Sequence, residues 1–305
     1  RKTACCAAGY LLVVGVFATT ASAVELTKET VAAFERYVRL TEARIEGEVN
    51  GSQKFLWMDG MAGPGRDAVY ARLRQGEIVV EHLETRENGQ EIDIPDGKMH
   101  HWLGVVFIPG TTLKDTLILI KDYDRHHTIY KPEVLQSKTL SHHGNDYKIY
   151  LRLWKKKVLT VVLNTEHDVH YFPVSATREY SRSYTTRIAE VDDPGEPTER
   201  EKPVGNDGGF LWRLYSYWRF EEKDGGVYVQ CEALSLTRSV PLLLRPLVNP
   251  FITGLPRESL RSALSNTRTA LQKRPAAVLG GAPLAMKMTR VFRSGYGPAY
   301  GAGAP

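Results

Sequence analysis

The stretch that decides the fold is FLWRLYSYWRFEEKDGGVYVQCEALSLT, residues 210–237. Large apolar side chains alternate with polar ones along its first half, the second half also alternates, and Asp224-Gly225-Gly226 separates the two. Alternation with a period of two is typical of a strand whose two faces meet different surroundings. Asp and Gly favour a tight turn. We therefore predict two neighbouring antiparallel strands.

Further strands and helices surround this pair. The same periodicity predicts strands over residues 102–108, 133–141, 147–154, 158–169 and 177–190. Helical spacing predicts helices over residues 26–49, 66–74, 111–130 and 257–272, the last with Leu260, Leu264, Thr267 and Leu271 on one stripe. Asn88-Gly89 predicts a hairpin between residues 77–84 and 90–94. This order indicates an α+β protein with one antiparallel sheet.

The two ends of the chain have compositions of their own. Residues 1–23 combine Arg1 and Lys2 with an apolar run and end in Ala21-Ser22-Ala23, the pattern of a secretory signal peptide cleaved near Ala23. The apolar run is shorter than the roughly 20 residues that a membrane anchor needs. Residues 273–305 are rich in Gly, Ala and Pro, contain no acid and are predicted to be a disordered basic tail. We expect the mature protein to be exported, periplasmic or extracellular.

The net charge of +5 arises from basic residues in these two ends. They hold seven bases and no acid, which leaves 33 basic and 35 acidic residues in residues 24–271. A basic nucleic-acid-binding surface on the folded part is therefore not expected. Cys231 would be the one cysteine of the mature chain, and its place in an alternating run predicts a buried apolar role.

Five short motifs stand out along the chain: HHWLGVVFIPG at residues 100–110, DYD at 122–124, LNTEH at 163–167, RIAE at 187–190 and PRESL at 256–260. They resemble the corresponding stretches of exported bacterial START-like proteins of unassigned function. The resemblance to this SRPBCC or helix-grip superfamily implies a curved antiparallel sheet of about seven strands around a long carboxy-terminal helix. It also implies a START-like ligand-binding domain over residues 98–272, preceded by a helix and hairpin extension over residues 24–97.

Motifs for catalysis or cofactor binding are absent from the sequence. Nine histidines occur, but no H-E-x-x-H or Cys/His cluster predicts a metal site. There is no G-x-S-x-G elbow, no G-x-x-x-x-G-K-[ST] loop and no G-x-G-x-x-G that follows a strand. We therefore expect no metal, no cofactor and no hydrolase of the serine type.

Polar side chains within the strands are the candidate ligand contacts. Arg182 and Tyr184 share one strand face, and Arg213, Tyr215 and Tyr217 share another, opposite Trp212, Leu214, Trp218 and Phe220. If the Tyr/Arg face looks inward, it would suit a ligand with an apolar body and a polar head. The preferred alternative makes the Tyr/Arg side chains solvated outer residues of a sheet whose Trp/Leu/Phe face forms the core, since charged side chains are rarely buried unless paired.

Other candidates share this ambiguity or lie outside the sheet. Tyr150, Trp154, Asn164 and Glu166 are strand residues whose face is undecided, and Leu260 and Leu264 would line the cavity from the last helix. The basic turn at residues 155–157 permits peripheral membrane contact, although a solvated turn is commoner. Residues 240–252 are apolar and contain three prolines, which fits a cavity gate or a buried connection equally well.

The preferred hypothesis is an exported protein that binds or carries a hydrophobic or amphipathic small molecule, such as a lipid, in a cavity between sheet and helix. One alternative is an enzyme of the cyclase or aromatase kind, acting on a polyketide-like substrate through an acid, His or Tyr in that cavity. Another is an envelope scaffold whose cavity is filled by its own side chains.

Overall fold

The computed structural model describes residues 24–51, 54–156, 160–239 and 254–273. Residues 24–97 form the first group of elements: β1 (Val24–Glu25), α1 (Lys28–Val49), a short 3-10 helix (Trp57–Gly60), α2 (Gly63–Arg74), β2 (Val79–His82), β3 (Arg86–Glu87) and β4 (Gln90–Glu91). The second group comprises β5 (Gly97–Pro109), α3 (Leu113–Ile120), a 3-10 turn (Tyr123–Arg125), α4 (His126–Ile129), β6 (Val134–His143), β7 (Asp146–Lys156), β8 (Thr160–Ser175), β9 (Arg178–Asp192), β10 (Arg200–Glu201), β11 (Asn206–Asp207), β12 (Arg213–Lys223), β13 (Gly226–Arg238) and α5 (Gly254–Gln272).

The main sheet is antiparallel, with the order β2-β5-β13-β12-β9-β8-β7-β6 and with β10 paired to β9. The predicted strands are confirmed. Within the described residues the sheet has nine strands where about seven were expected. The two additional strands are β2, which comes from the amino-terminal extension, and the two-residue β10.

The amino-terminal extension differs from the predicted hairpin in one respect. The Asn88-Gly89 turn is present, with φ of 50° and 81°, but it joins only β3 and β4. The predicted first arm contains β2, which pairs with β5 of the main sheet instead. Burial of Val79 and Val80 on the large sheet favours this pairing over an isolated hairpin.

Two helical layers cover opposite faces of the sheet. The first layer contains α1 and α2. Thr27 caps α1 by accepting a hydrogen bond from the backbone N–H of Thr30, and α1 packs through Phe34 and Ile45 against the face that carries Tyr217 and Leu234. We call this the α1 face.

The second layer contains α3, α4 and α5, and it covers the face that carries Val106, Val229 and Phe220. We call this the α5 face. The helical run predicted over residues 111–130 is divided into α3, the 3-10 turn and α4. Cys231 lies on the α5 face and is buried, as predicted.

The helix α5 lies mainly over β5 and β13. A Cβ atom at Gly104 would stand 2.6 Å from Leu264 Cδ1 and 3.1 Å from Leu260 Cγ, so the helix meets the sheet most closely there. This contact requires a glycine at position 104. It places α5 closer to one edge of the sheet than to the other.

The predictions for residues 1–23, 240–252 and 274–305 lie outside the described residues. Within the described ranges, none of the helices is long and apolar enough to cross a bilayer.

Candidate functional site

The helix α5 lies mainly over β5 and β13, and we call the part of the α5 face beside it, above β12, β9 and β8, the groove. Small side chains line its floor where these strands cross the centre of the sheet. Ser216 of β12 is the direct neighbour of Ser183 of β9, and Ser181 lies two residues further along β9, opposite Trp218. We call Ser181, Ser183 and Ser216 the serine strip. Ser183, Ser216 and Trp218 are only half-buried although they lie on central strands, which shows that α5 does not fill this part of the face.

The hydroxyls of the serine strip have few partners. Ser181 and Ser216 make no side-chain hydrogen bond to any residue in the described part of the chain, and Ser183 Oγ lies 3.4 Å from His167 Nδ1, a long contact. Polar groups inside proteins are usually hydrogen-bonded. Buried or half-buried hydroxyls with few hydrogen-bond partners are therefore suited to bind a ligand.

His167 is the buried polar group at the edge of this strip. Its Nε2 lies 3.0 Å from Thr165 Oγ1, and the Thr165 hydroxyl donates its proton to the backbone oxygen of Leu151 at 3.0 Å. Thr165 Oγ1 must therefore accept from His167 Nε2–H, which assigns the proton to Nε2 and leaves Nδ1 as an acceptor. That acceptor is directed toward Ser183.

The site is electrically neutral near pH 7. Burial lowers the pKa of His167 to about 4, because the charged imidazolium would lose its hydration. Burial raises the pKa of the Cys231 thiol, and it raises the pKa of Tyr130 to about 12. These groups are therefore uncharged at neutral pH.

Charged side chains of the α5 face lie at its two ends in the described structure. At one end, Glu179 pairs with Lys121 at 3.0 Å and Glu222 accepts a hydrogen bond from the backbone N–H of Leu113. At the other end, Glu190 pairs with Lys202. The middle of the groove, between these pairs, has apolar and hydroxyl-bearing side chains.

The helices α4 and α5 supply the opposite wall. The Thr267 hydroxyl donates to the backbone oxygen of Ala263 at 2.9 Å, so the contact of 3.1 Å between Tyr130 OH and Thr267 Oγ1 is donated by Tyr130. Tyr123 OH and Tyr171 OH are 2.6 Å apart. These contacts hold the wall together.

Most of the predicted cavity residues lie on the α1 face instead, so the inward interpretation of the Tyr/Arg face was wrong. Tyr184 and Tyr217 both donate hydrogen bonds to Glu42 of α1. Burial and the nearby Glu42 carboxylate raise the pKa of both phenols. Arg182 lies over the Phe172 ring at 4.8 Å and lies 3.8 Å from Glu46. The preferred alternative was correct about the core position of Phe220, against which Trp218 packs. It was wrong about Trp212, which packs on the α1 face because it precedes the regular part of β12, and about solvation, since α1 covers Tyr217 and Arg219 and leaves both fully buried.

The remaining β12 candidates also lie on this face. Tyr215 contacts Phe34 edge to face, with ring centroids 5.2 Å apart. Arg213 donates to the backbone oxygen of Trp212 at 2.8 Å. Tyr215 therefore helps to attach α1, and the sheet separates both side chains from the groove.

Tyr150, Trp154, Asn164 and Glu166 are not in the groove either. They alternate with Ile149, Leu153 and Thr165 of the opposite face and point away from α5. Tyr150 OH donates to Asn164 Oδ1 at 2.9 Å, and Asn164 Nδ2 donates to Glu201 of β10 at 2.8 Å. The contacts of Tyr150 and Asn164 hold β10 on the sheet.

Leu260 and Leu264 are the candidates that the structure places between α5 and the sheet. Our prediction missed the serine strip and His167. The sequence contained a signal for the strip: Ser216 shares its strand face with Trp218 and Phe220, and Ser181 and Ser183 alternate with Tyr180, Arg182 and Tyr184. Short polar residues on the apolar face of a strand indicated an inward polar patch.

Other surface features do not form a better site. Two adjoining clefts of about 360 and 290 Å³ share Asp59, Arg66 and Lys223. Asp59 is already engaged, since it accepts from Tyr70 OH at 2.6 Å and from the backbone N–H of Leu56 at 2.9 Å. No group of three His, Cys, Asp or Glu side chains among the described residues could hold a metal ion.

The predicted basic turn is only partly within the described structure. Lys155 pairs with Glu133 and donates to Ser259 Oγ at 2.7 Å, while Lys156 is exposed. Lys157 lies outside the described residues.

A long carboxy-terminal helix held against an antiparallel sheet is the helix-grip arrangement that the sequence resemblance implies. This order of strands and helices agrees with the START-like fold that the sequence predicts. No protein-family model matches the chain, and no curated protein sequence matches it significantly.

Similar solved structures include a STAR-related lipid transfer protein from Xanthomonas axonopodis, which is 14% identical, covers 64% of this chain and 99% of its own, and has a TM-score of 0.41. Human STARD10 is 12% identical over 76% of this chain and 86% of its own, with a TM-score of 0.41. An aromatase/cyclase from Streptomyces sp. R1128 is 12% identical over 61% of this chain and 100% of its own, with a TM-score of 0.40. TM-scores below 0.5 assign neither a family nor a ligand to this chain.

Proposed function

We propose that this protein binds and carries a hydrophobic or amphipathic small molecule, such as a lipid, in the groove beside α5. The observation that supports the proposal is the serine strip with its half-buried neighbour Trp218. The centre of a sheet under a helix is normally filled by large apolar side chains. Here small hydroxyl-bearing side chains take that place and leave room for a ligand of mixed polarity.

The test combines native mass spectrometry with a binding assay. Protein purified from its own host is expected to carry a small molecule that organic solvent extracts, and the emptied protein is expected to bind a fluorescent fatty-acid probe. Ser216→Phe should fill the groove and reduce probe binding at least tenfold. Ser141→Phe, at an exposed position of β6, is the matched control and should leave binding unchanged.

Two results together would contradict the proposal. They are repeated recovery of empty protein from the host and failure of the emptied protein to bind any probe. The scaffold alternative, in which the protein's own side chains fill the groove, would then be favoured.

His167 favours a second candidate, an enzyme of the cyclase or aromatase kind acting on a polyketide-like substrate. Its Nδ1 is a proton acceptor at the edge of the serine strip, 3.4 Å from Ser183 Oγ. A base with a pKa of about 4 is weak at neutral pH, and this argues for binding over proton transfer. The variant His167→Gln distinguishes the two candidates. A carrier should keep most of its affinity for the hydrophobic probe. An enzyme should lose turnover of a polyketide analogue while it still binds that analogue.

We also propose that the protein acts outside the cytoplasm. The support is the signal-peptide pattern of residues 1–23. Cell fractionation followed by amino-terminal sequencing tests this: a mature chain that begins at Val24 in the envelope or medium is expected. Full-length protein confined to the cytoplasm would contradict export without affecting the binding proposal.

A further inference from the structure

Within the described residues, the middle of the groove contains hydrogen-bonding groups and no charged side chain that could pair with an ion. The three hydroxyls of the serine strip and the imidazole of His167 lie there. The charged side chains of the described α5 face are at the ends, where Glu179 pairs with Lys121, Glu190 with Lys202 and Lys155 with Glu133. A ligand that brought a charge to the centre would lose its hydration and gain no paired charge in return.

The orientation of the His167 ring adds a specific requirement. Nε2–H is committed to Thr165, so Nδ1 can only accept a hydrogen bond. Ser183 reaches this acceptor at 3.4 Å, too far for a strong bond. A ligand hydroxyl placed beside this contact, within hydrogen-bond distance of both atoms, could donate to His167 Nδ1 and accept from the Ser183 hydroxyl.

Ser216 completes the polar surface. It is the cross-strand neighbour of Ser183 on the same face and has no side-chain hydrogen bond within the described residues. Neighbouring side chains on one sheet face have Cβ atoms about 5 Å apart, so one polar group of a ligand can contact both hydroxyls. Trp218, two residues from Ser216 on the same face of β12, is half-buried and presents apolar surface to the rest of a ligand.

We propose that the ligand of the groove is an uncharged amphiphile with at least one hydroxyl group, held by the serine strip and His167, and that amphiphiles with ionised head groups are selected against. This inference rests on the proposed binding function and specifies its ligand class. The selection follows from desolvation, because a neutral hydroxyl exchanges its bonds to water for bonds to the protein, whereas an ion cannot.

The experiment uses matched probes that differ in the head group alone. One pair is 1-monopalmitoylglycerol and palmitate, and the other is cholesterol and cholesterol sulfate. Each competes with a fluorescent probe for the emptied full-length protein at pH 7. The uncharged member of at least one pair is expected to bind at least tenfold more tightly than its anion, and methyl palmitate, which has no hydroxyl, is expected to bind more weakly than monopalmitoylglycerol.

The double variant Ser183→Ala/Ser216→Ala removes two hydroxyls without filling space. We expect it to weaken binding of the preferred uncharged probe about tenfold and to leave methyl palmitate binding unchanged. Ser141→Ala on the exposed part of β6 is the control. Circular dichroism and the melting temperature check that the double variant folds, and Ser216→Ala alone serves if it does not.

The outcomes separate this inference from the proposed function. Anions that bind as tightly as their uncharged partners, or a double variant that retains full affinity for the hydroxyl-bearing probe, would overturn the neutral-ligand inference while leaving a binding function in place. If none of the probes binds and the protein from the host is empty, the binding function and this inference both fail.

Discussion

The α1 face and the α5 face belong to one sheet, but they differ in the side-chain contacts that their polar residues make. On the α1 face, charged side chains are buried and engaged with each other: Arg219 pairs with Glu48 at 2.7 Å, and Glu232 contacts both His101 and Arg44. Near the middle of the α5 face, the buried imidazole of His167 is neutral and the hydroxyls of the serine strip have few hydrogen-bond partners. The buried carboxylates of this face, Glu179 and Glu190, lie at its two ends and are paired with lysines.

This difference shows that polar residues on a strand do not identify a ligand site by themselves. A buried charge must be paired, and its partners fix the elements that carry them. Arg219 holds α1 through Glu48 and holds the preceding segment by donating to the backbone oxygen of Phe55 at 2.8 Å. A ligand on the α1 face would have to break such contacts, whereas a ligand on the α5 face could use hydroxyls that are still free to bond.

The largest expected effect comes from breaking the charge network of the α1 face. Arg219 is fully buried, and Arg219→Leu would leave the Glu48 carboxylate without this partner. We expect a loss of about 3–5 kcal/mol in the free energy of unfolding, because the remaining charge stays partly buried. Urea denaturation monitored by circular dichroism measures this loss.

Arg200→Leu is the matched control for that variant. The Arg200 side chain is 73% exposed and pairs with Asp192 at 3.2 Å, so its removal should cost no more than about 1 kcal/mol. Equal losses for the two variants would contradict the view that the α1 face depends on buried pairs.

Strand order and the assignment of apolar faces could be predicted because they depend on short-range patterns. Trp218 and Phe220 alternate with Tyr217 and Arg219, and the large apolar side chains were correctly assigned to the core. The layer that covers the other face could not be derived from periodicity. It depends on long-range contacts such as that between Tyr217 and Glu42, which are far apart in sequence.

The groove was harder to predict for the same reason. Its existence depends on where α5 sits, and that is set by Gly104 on β5 and by Leu260 and Leu264 on the helix. A sequence shows that a glycine occurs in a strand, but not that a helix packs against it. Only the low volume of Ser183 and Ser216 was visible beforehand, and large Tyr and Arg side chains on the neighbouring positions drew attention away from them.

The next effect is a pH dependence that arises on the α5 face. The pKa of His167 is about 4 in the folded protein, below its ordinary value of 6.5, because the ring is buried. Between pH 6.5 and pH 4 the unfolded chain binds a proton that the folded chain does not, so stability falls as the pH falls through this window. A difference of about 2.5 pH units corresponds to roughly 3 kcal/mol.

Unfolding experiments at pH 7 and pH 4 test this contribution. The wild-type protein should lose stability between the two values, and His167→Gln should remove about 3 kcal/mol of that loss. The rest of the pH dependence should persist, since burial also lowers the pKa of His100 and His126 to about 4. An identical pH dependence in the variant would show that His167 is accessible to protons in the folded protein.

The smallest effect compares the space available on the two faces. Val38 of α1 is 6% exposed and packed against the sheet, so Val38→Phe should overfill the α1 face and cost about 1–3 kcal/mol. Ser216→Phe adds more volume, but it extends into the groove and should change stability by less than about 1 kcal/mol, because an added ring finds room and apolar neighbours there. Both values come from urea denaturation of the emptied protein. If Ser216→Phe destabilises the protein as much as Val38→Phe, the α5 face is packed like the α1 face, and the groove has no room for a ligand.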